Sequence, residues 1–245
     1  TLAVAAAAVT TACGGGGGGD NPTAGIDRGG VTIAQGPISA FGSVIVNGVR
    51  YSTTGATVTL DDQPGSESDL RVGQVVRVEG TVNADGVTGT ARAIRFDDEL
   101  EGPVQSIDLV NSRFVVLGQT VRVGAGTSFD DSVVPRSLDG LAAGERVEVS
   151  GLVGADGVIA ATRVERKAAA ATVEVKGAVS FVDTAARRFR IGLLTVDYAS
   201  ASLSGFSTGQ PANGDLVEVQ GTTGGADLLL ATRVEKRSAS LSGST

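Results

Sequence analysis

From residue 31 onward the hydrophobic and polar positions of the chain follow a β pattern throughout. Val75-Val76-Arg77-Val78-Glu79 and Val147-Glu148-Val149 alternate apolar and polar residues. A strand turns successive side chains to opposite faces, so this alternation predicts half-buried strands. Val44-Ile45-Val46-Asn47-Gly48 and Phe114-Val115-Val116-Leu117-Gly118 each predict a strand that runs into a glycine turn. Hairpin turns are expected at Asn83-Ala84-Asp85-Gly86 and Gly154-Ala155-Asp156-Gly157, because Asp-Gly supplies the positive φ that tight turns demand. Ser137-Leu138-Asp139-Gly140-Leu141 is expected to form one helical turn between a third and a fourth strand.

The pattern recurs. Arg71-Val72-Gly73-Gln74-Val75-Val76-Arg77-Val78 returns as Ala143-Gly144-Glu145-Arg146-Val147-Glu148-Val149 and again as Asn213-Gly214-Asp215-Leu216-Val217-Glu218-Val219. The anchor glycines 73, 144 and 214 are spaced by 71 and 70 residues, as are Arg92, Arg163 and Arg233 in the closing strands. The units open alike, with Gly36-Pro37-Ile38, Gly102-Pro103-Val104 and Gly177-Ala178-Val179. This period is longer than that of solenoid repeats, so each unit is expected to close its own core. The units are assigned to residues 31–97, 98–167 and 168–237, with Ala168 to Ala171 as a spacer that makes the third unit the most independent.

Five to six short strands with one helical turn predict an all-β chain of three tandem small OB-like barrels. An immunoglobulin-like sandwich needs about 100 residues and more strands. The run Gly36-Pro37-Ile38-Ser39-Ala40-Phe41-Gly42-Ser43-Val44-Ile45-Val46-Asn47-Gly48-Val49-Arg50-Tyr51 resembles the opening of domain of unknown function 5666. That resemblance implies a bacterial exported protein or lipoprotein with tandem copies, and no known activity. The opening hairpin is four residues longer in the second and third units, since Gly102 precedes Phe114 by 12 residues and Gly36 precedes Val44 by 8. Tyr51 and Tyr198 are placed at matching apolar barrel positions, with Val123 between them.

Composition narrows the chemistry. The chain has 245 residues, 20 Lys+Arg against 27 Asp+Glu, no His, no Trp, no Met and one Cys. Histidine acid–base catalysis, the Ser-His and Cys-His triads and His- or Cys-based zinc sites are therefore excluded. A net charge of −7 argues against nucleic acid, whose binders neutralise phosphates with clustered Lys and Arg. Glycine makes up 36 residues, but 41% hydrophobic residues and a mean hydropathy of +0.16 are enough to build cores.

Residues 1 to 12, TLAVAAAAVTTA, are apolar and uncharged and too short to span a bilayer as a helix. They fit the apolar core of a secretory signal. Thr10-Thr11-Ala12-Cys13, followed by Gly14 to Gly19, resembles a bacterial lipobox, although Thr10 stands where Leu is usual. The resemblance implies lipidation at Cys13 and, with Gly14 rather than Asp after the Cys, an outer-membrane address. Residues 1–13 are read as the signal segment, 14–30 as a flexible tether and 238–245 as a Ser-rich tail.

Acidic clusters at Asp61-Asp62, Asp97-Asp98-Glu99 and Asp130-Asp131 are read as solvated turns. An EF-hand reading of the Asn83–Gly86 turn fails, because Arg92 falls where a bidentate Glu is needed. The basic runs Arg163 to Lys167 and Arg233 to Arg237 are read as charged edge strands. Arg187, Arg188 and Arg190 are the candidate ligand or partner contacts, suited to phosphate-bearing lipid or polysaccharide. No catalytic, cofactor or metal residues are assigned. The expected function is a non-enzymatic cell-envelope lipoprotein, held by its lipid anchor, that presents three barrels to an envelope polysaccharide or protein. A carbohydrate- or small-ligand-binding module is the alternative and a hydrolase the third reading. A surface aromatic cluster favours the ligand binder, a shared apolar seam the scaffold and convergent buried carboxylates the enzyme.

Overall fold

The computed structural model describes residues 31–237; Cys13, residues 1–30 and the tail 238–245 lie outside the described residues. The first repeat contains β1 (Thr32–Ala40), β2 (Val44–Val46), β3 (Val49–Ser52), β4 (Thr57–Leu60), β5 (Gln63–Gly65), β6 (Val75–Val82) and β7 (Thr88–Phe96). The second contains β8 (Leu100–Asp108), β9 (Arg113–Val116), β10 (Gln119–Arg122), β11 (Ser128–Phe129), β12 (Arg146–Val153) and β13 (Ile159–Arg166). The third contains β14 (Thr172–Ala178), β15 (Ser180–Asp183), β16 (Arg188–Ile191), β17 (Leu194–Asp197), β18 (Ser202–Ser204), β19 (Leu216–Gly225) and β20 (Leu228–Lys236).

Each repeat closes the same way. In the first, β1, β2 and β3 form a meander, β3 runs parallel to β7, β7 pairs with β6, and β6 returns to β1. That ring of five strands has the OB arrangement. The second repeat closes through β8-β9-β10-β13-β12, and the third through β14/β15-β16-β17-β20-β19. Short 3₁₀ turns at Glu67–Asp69 and Leu138–Gly140 stand before the fourth barrel strand, the latter where the sequence predicts a helical turn. The longer second-repeat hairpin is real: β8 and β9 stay paired out to Asp108 and Arg113.

The pairing register corrects two sequence alignments. Val76, Val147 and Val217 are equivalent through their pairing with Gly36, Gly102 and Gly177. From there Ala91, Ala161 and Ala231 match, which puts Ala93 rather than Arg92 in the place of Arg163 and Arg233. The hairpin after β6 is one residue longer, so an equal spacing concealed the slip. Likewise Tyr51 pairs with Gly89 where Val121 pairs with Ile159 and Val196 with Leu229, so Tyr51 matches Val196 and not Tyr198. Volume explains the exchange. A Cβ at Gly89 would sit 3.0 Å from the Tyr51 ring, so the large ring needs the glycine, whereas Val needs Ile or Leu to fill the same space. Both tyrosines are buried apolar barrel residues, as expected.

The repeats are not equally independent. The first has its own core, built on Ile38, Val44, Tyr51, Val78, Ile94 and Phe96. The second and third share one sheet and one buried cluster that runs from Leu100 and Phe114 to Phe189 and Val234. Their opening strands pair antiparallel, Leu100 opposite Val175 and Glu101 opposite Glu174. Gly118, at φ +68°, lies against the backbone of Leu194, and the buried Gln119 amide donates to the carbonyls of Leu117 and Ile191 at 3.0 and 2.8 Å. The Ala168 to Ala171 connection therefore does not free the third repeat; strand pairing overrides the spacer. The first repeat meets the second through Gly73, where a Cβ would come within 2.5 Å of the Thr162 carbonyl.

Expressed separately, residues 31–97 are expected to give a dispersed β-type amide spectrum. Residues 168–237 alone, with Val175 and Leu194 uncovered, are expected to lose dispersion and to regain it in a 98–237 piece. A stable, well-dispersed spectrum from 168–237 alone would contradict the shared core.

Candidate functional site

Of the three acidic clusters read as solvated turns, Asp61-Asp62 and Asp130-Asp131 do lie in turns, with Asp61, Asp62 and Asp131 exposed, whereas Asp97-Asp98-Glu99 is a connection with Asp98 buried. Asp61-Asp62, in the turn between β4 and β5, and Asp97-Asp98-Glu99, which link the first two repeats, come together where all three repeats meet. The Asp98 backbone N–H donates to Asp61 Oδ1 at 3.2 Å, and Glu99 N–H donates to the Val149 carbonyl at 3.0 Å. The first bond ties the connection to the first repeat and the second ties it to the second. Asp130 and Asp131 stand apart, paired with Arg163 and Arg136 at 2.5 and 2.8 Å.

At the centre of the junction is Lys176 on β14. Its backbone N–H donates to the Glu99 carbonyl at 2.9 Å, and its Nζ donates to the Asp98 carbonyl. Carboxylate oxygens of Glu218, Asp98 and Glu174 lie 3.5, 3.7 and 3.8 Å from Nζ. Arg237 grips Glu218 Oε2 from Nη2 at 2.6 Å and reaches Asp62 Oδ2 at 2.9 Å, which joins the third repeat to the first. Lys167 holds Glu148 at 2.8 Å. The two pairs Glu148–Lys167 and Glu218–Arg237 occupy equivalent places in their repeats, so the local two-fold of the β8–β14 seam extends to its charges.

Acids outnumber bases here, and burial disfavours their charge. Desolvation pushes Asp61, Asp97 and Glu148 up and raises Glu99 to about 7. Glu174 also rises to about 7, through burial and the neighbouring Glu218. Asp98 is driven well above the usual carboxylate range by burial, although Lys176 opposes this; its Oδ1 has no hydrogen-bond donor. The surrounding acids hold Lys176 firmly protonated.

The centre of the arrangement is closed to solvent. The side chains of Asp98 and Glu218 are 4% exposed and that of Lys176 is 11%. None of these three lines either of two surface cavities, one beside Arg146, Lys167 and Val173 and the other beside Phe41, Leu70 and Arg71. Among the described residues no three acidic side chains are placed to hold a metal ion. What the cluster can do is lock three barrels together in a proton-dependent way.

The basic runs are also repositioned. Arg163 lies where β13 is paired by β11 on one side and β12 on the other, so it is not an edge residue; it is buried and binds Asp130 and Glu165. The three candidate arginines of the third repeat do not converge. Arg187 lies over the Tyr198 ring at 5.7 Å, Arg188 pairs with Asp197 at 2.8 Å, and Arg190 stacks 5.6 Å over Phe181. Phe181 is 75% exposed, so Arg190 is the one of the three that borders exposed aromatic surface.

Lys176, Glu174, Glu148, Glu218 and Arg237 were not singled out as site residues from the sequence. Glu148, Glu174, Lys176 and Glu218 stand next to valines on their strands, on the face that an isolated barrel turns to water, and only contact between barrels buries that face.

The family model described as Domain of unknown function (DUF5666) matches residues 33–95, 101–165 and 176–235. No curated protein matches the chain. Among solved structures, "drosophila Unr CSD456" aligns over 85% of this chain and 99% of that one, at 12% identity and a TM-score of 0.24.

The raised carboxyls set a pH dependence. A carboxyl whose folded pKa exceeds its unfolded value adds stability below the unfolded value and loses it as pH rises through the folded one. For Glu99 and Glu174 that window runs from 4.5 to about 7. Exposed acids held low by partners, such as Asp62, work the other way only below 3.8. The thermal midpoint is thus expected to be higher at pH 5 than at pH 8, by roughly 2–6 °C. Glu99→Gln is expected to narrow that gap; a midpoint that rises from pH 5 to pH 8 would refute the account of the junction.

Proposed function

We propose that this chain, which belongs to the DUF5666 family, is a non-enzymatic cell-envelope lipoprotein that holds three small barrels in a fixed array for binding or scaffolding. The observation that carries the reading is the shared core of the second and third repeats, joined by strand pairing at Leu100 and Val175. Units meant to engage separate ligands gain from freedom relative to one another; units fused through a common sheet present one rigid surface. Convergent buried carboxylates, the feature expected of an enzyme, are present as well, but they are paired with Lys176, Lys167 and Arg237, and the shared apolar seam expected of a scaffold is the more extensive feature. A repetitive partner, an envelope polysaccharide or an assembled protein, is the class that a rigid array suits.

Export and anchoring rest on the sequence around Cys13, an apolar segment followed by six glycines. In this reading the sulfur of Cys13 carries the lipid, residues 14–30 act as the tether, and the outer membrane is the address.

The test is fractionation of cells that make the precursor. The native chain is expected in the membrane pellet and Cys13→Ala in the soluble fraction. A Cys13→Ala protein that stays in the pellet after a high-salt wash would overturn the lipid anchor.

A further inference from the structure

The edge that joins the second and third repeats also exists in the first, where it is left open. Gly36, Gly102 and Gly177 are equivalent by their pairing with Val76, Val147 and Val217. Counting back, Ala34 occupies the place of Leu100 and Val175, with Ile33 at that of Glu99 and Glu174 and Gln35 at that of Glu101 and Lys176. In the seam, Leu100 faces Val175 and each repeat offers the same stretch of its opening strand. That is a self-complementary contact around a local two-fold.

Among the described residues no strand covers the corresponding edge of β1, which pairs with β6 on one side and reaches β2 only from Ile38 onward. The Gln35 carbonyl points to that open side, where it accepts the Asn47 side-chain amide at 2.9 Å. Ile33 is 41% exposed and Ala34 half-buried, whereas Leu100 and Val175 are both 0% exposed. The turns agree. Gly118 lies on Leu194, but its equivalent Gly48 has nothing within 4 Å of a Cβ position. Contacts from the first repeat to the others go through Gly73 and Asp62 instead, so its edge stays available.

We propose that this edge pairs with the same edge of a second copy of the chain, antiparallel about a two-fold axis that places Ala34 opposite Ala34 and Ile33 opposite Gln35. The chemistry suits self-pairing. In the seam the cross-strand positions carry Glu101 opposite Glu174, a like-charge contact relieved by Arg146 at 3.0 Å from Glu101. Val31-Thr32-Ile33-Ala34-Gln35 carries no charge, so two copies meet without repulsion. The stretch also lacks the lysine or proline that usually guards an open edge. With three repeats in one chain, two edges satisfy each other and the third is left for a partner.

Because Lys176 N–H bonds the Glu99 carbonyl, alternation makes Leu100–Val175 a pair without mutual hydrogen bonds, the closer kind of antiparallel neighbour. Cysteines at two facing 34 positions would then be within disulfide reach. The experiment uses the full chain with Cys13→Ala, so that no natural thiol interferes. Light scattering at high micromolar concentration is expected to give twice the monomer mass, and Ile33→Lys to return it to the monomer mass with an unchanged circular dichroism spectrum. Mild oxidation of an Ala34→Cys variant is expected to give a covalent dimer, and of Val110→Cys, which is 92% exposed on another repeat, none. A monomeric Cys13→Ala chain, or a dimer that survives Ile33→Lys, would overturn the proposal.

Discussion

Leu100 and Val175 face each other across two opening strands, and much of the molecule follows from that one antiparallel contact. A lone OB barrel keeps its outer face in water. When two barrels pair edge to edge, the strands beside the contact, β12 and β19, lose solvent on the outside as well. Glu148 and Glu218 sit on those outer faces and become buried. A buried carboxylate is tolerated only with a counter-charge or a proton. Lys167 and Arg237, each the residue after the last strand of its repeat, supply the former, and the raised carboxyls of Glu99 and Glu174 the latter.

The first repeat shows the same fold without that contact. At the position of Glu148 and Glu218 it carries Arg77, and at the position of Lys167 and Arg237 it carries Asp97, so the charges are exchanged. It therefore cannot replace either partner in the seam by simple substitution. It joins the others from the side, through the glycine at 73 and the Asp62–Arg237 pair, and Asp61 accepts the Asp98 N–H at the margin of the buried cluster.

The barrels were legible in the sequence because each is determined by local alternation, glycine turns and a repeat that can be counted. Val44 to Val46, Val75 to Val78 and the 3₁₀ turn at Leu138–Gly140 all lie where the pattern places them. The junction was not legible. Glu174, Lys176 and Glu218 read as solvent-facing residues of amphipathic strands, and nothing local marks one outer face as destined for another barrel. Asp98 misled for a related reason: an acidic run between two domains has the composition of a solvated linker, and only the approach of Lys176 from a repeat 78 residues away turns it inward. Register failed where spacing alone was used. Arg92 is 71 residues before Arg163 yet pairs one position off, because one extra turn residue offsets the count.

The central claim is that the second and third repeats are one cooperative body held by the β8–β14 pairing. Native-state hydrogen exchange of the Lys176 amide, which donates to the Glu99 carbonyl at 2.9 Å, addresses it directly. The claim predicts that this amide exchanges only through the opening that also releases the core amides of Val149 and Val219. Exchange of Lys176 through a smaller opening, with both barrels still protected, would mean that the repeats part without unfolding and that the seam is a contact between independent domains.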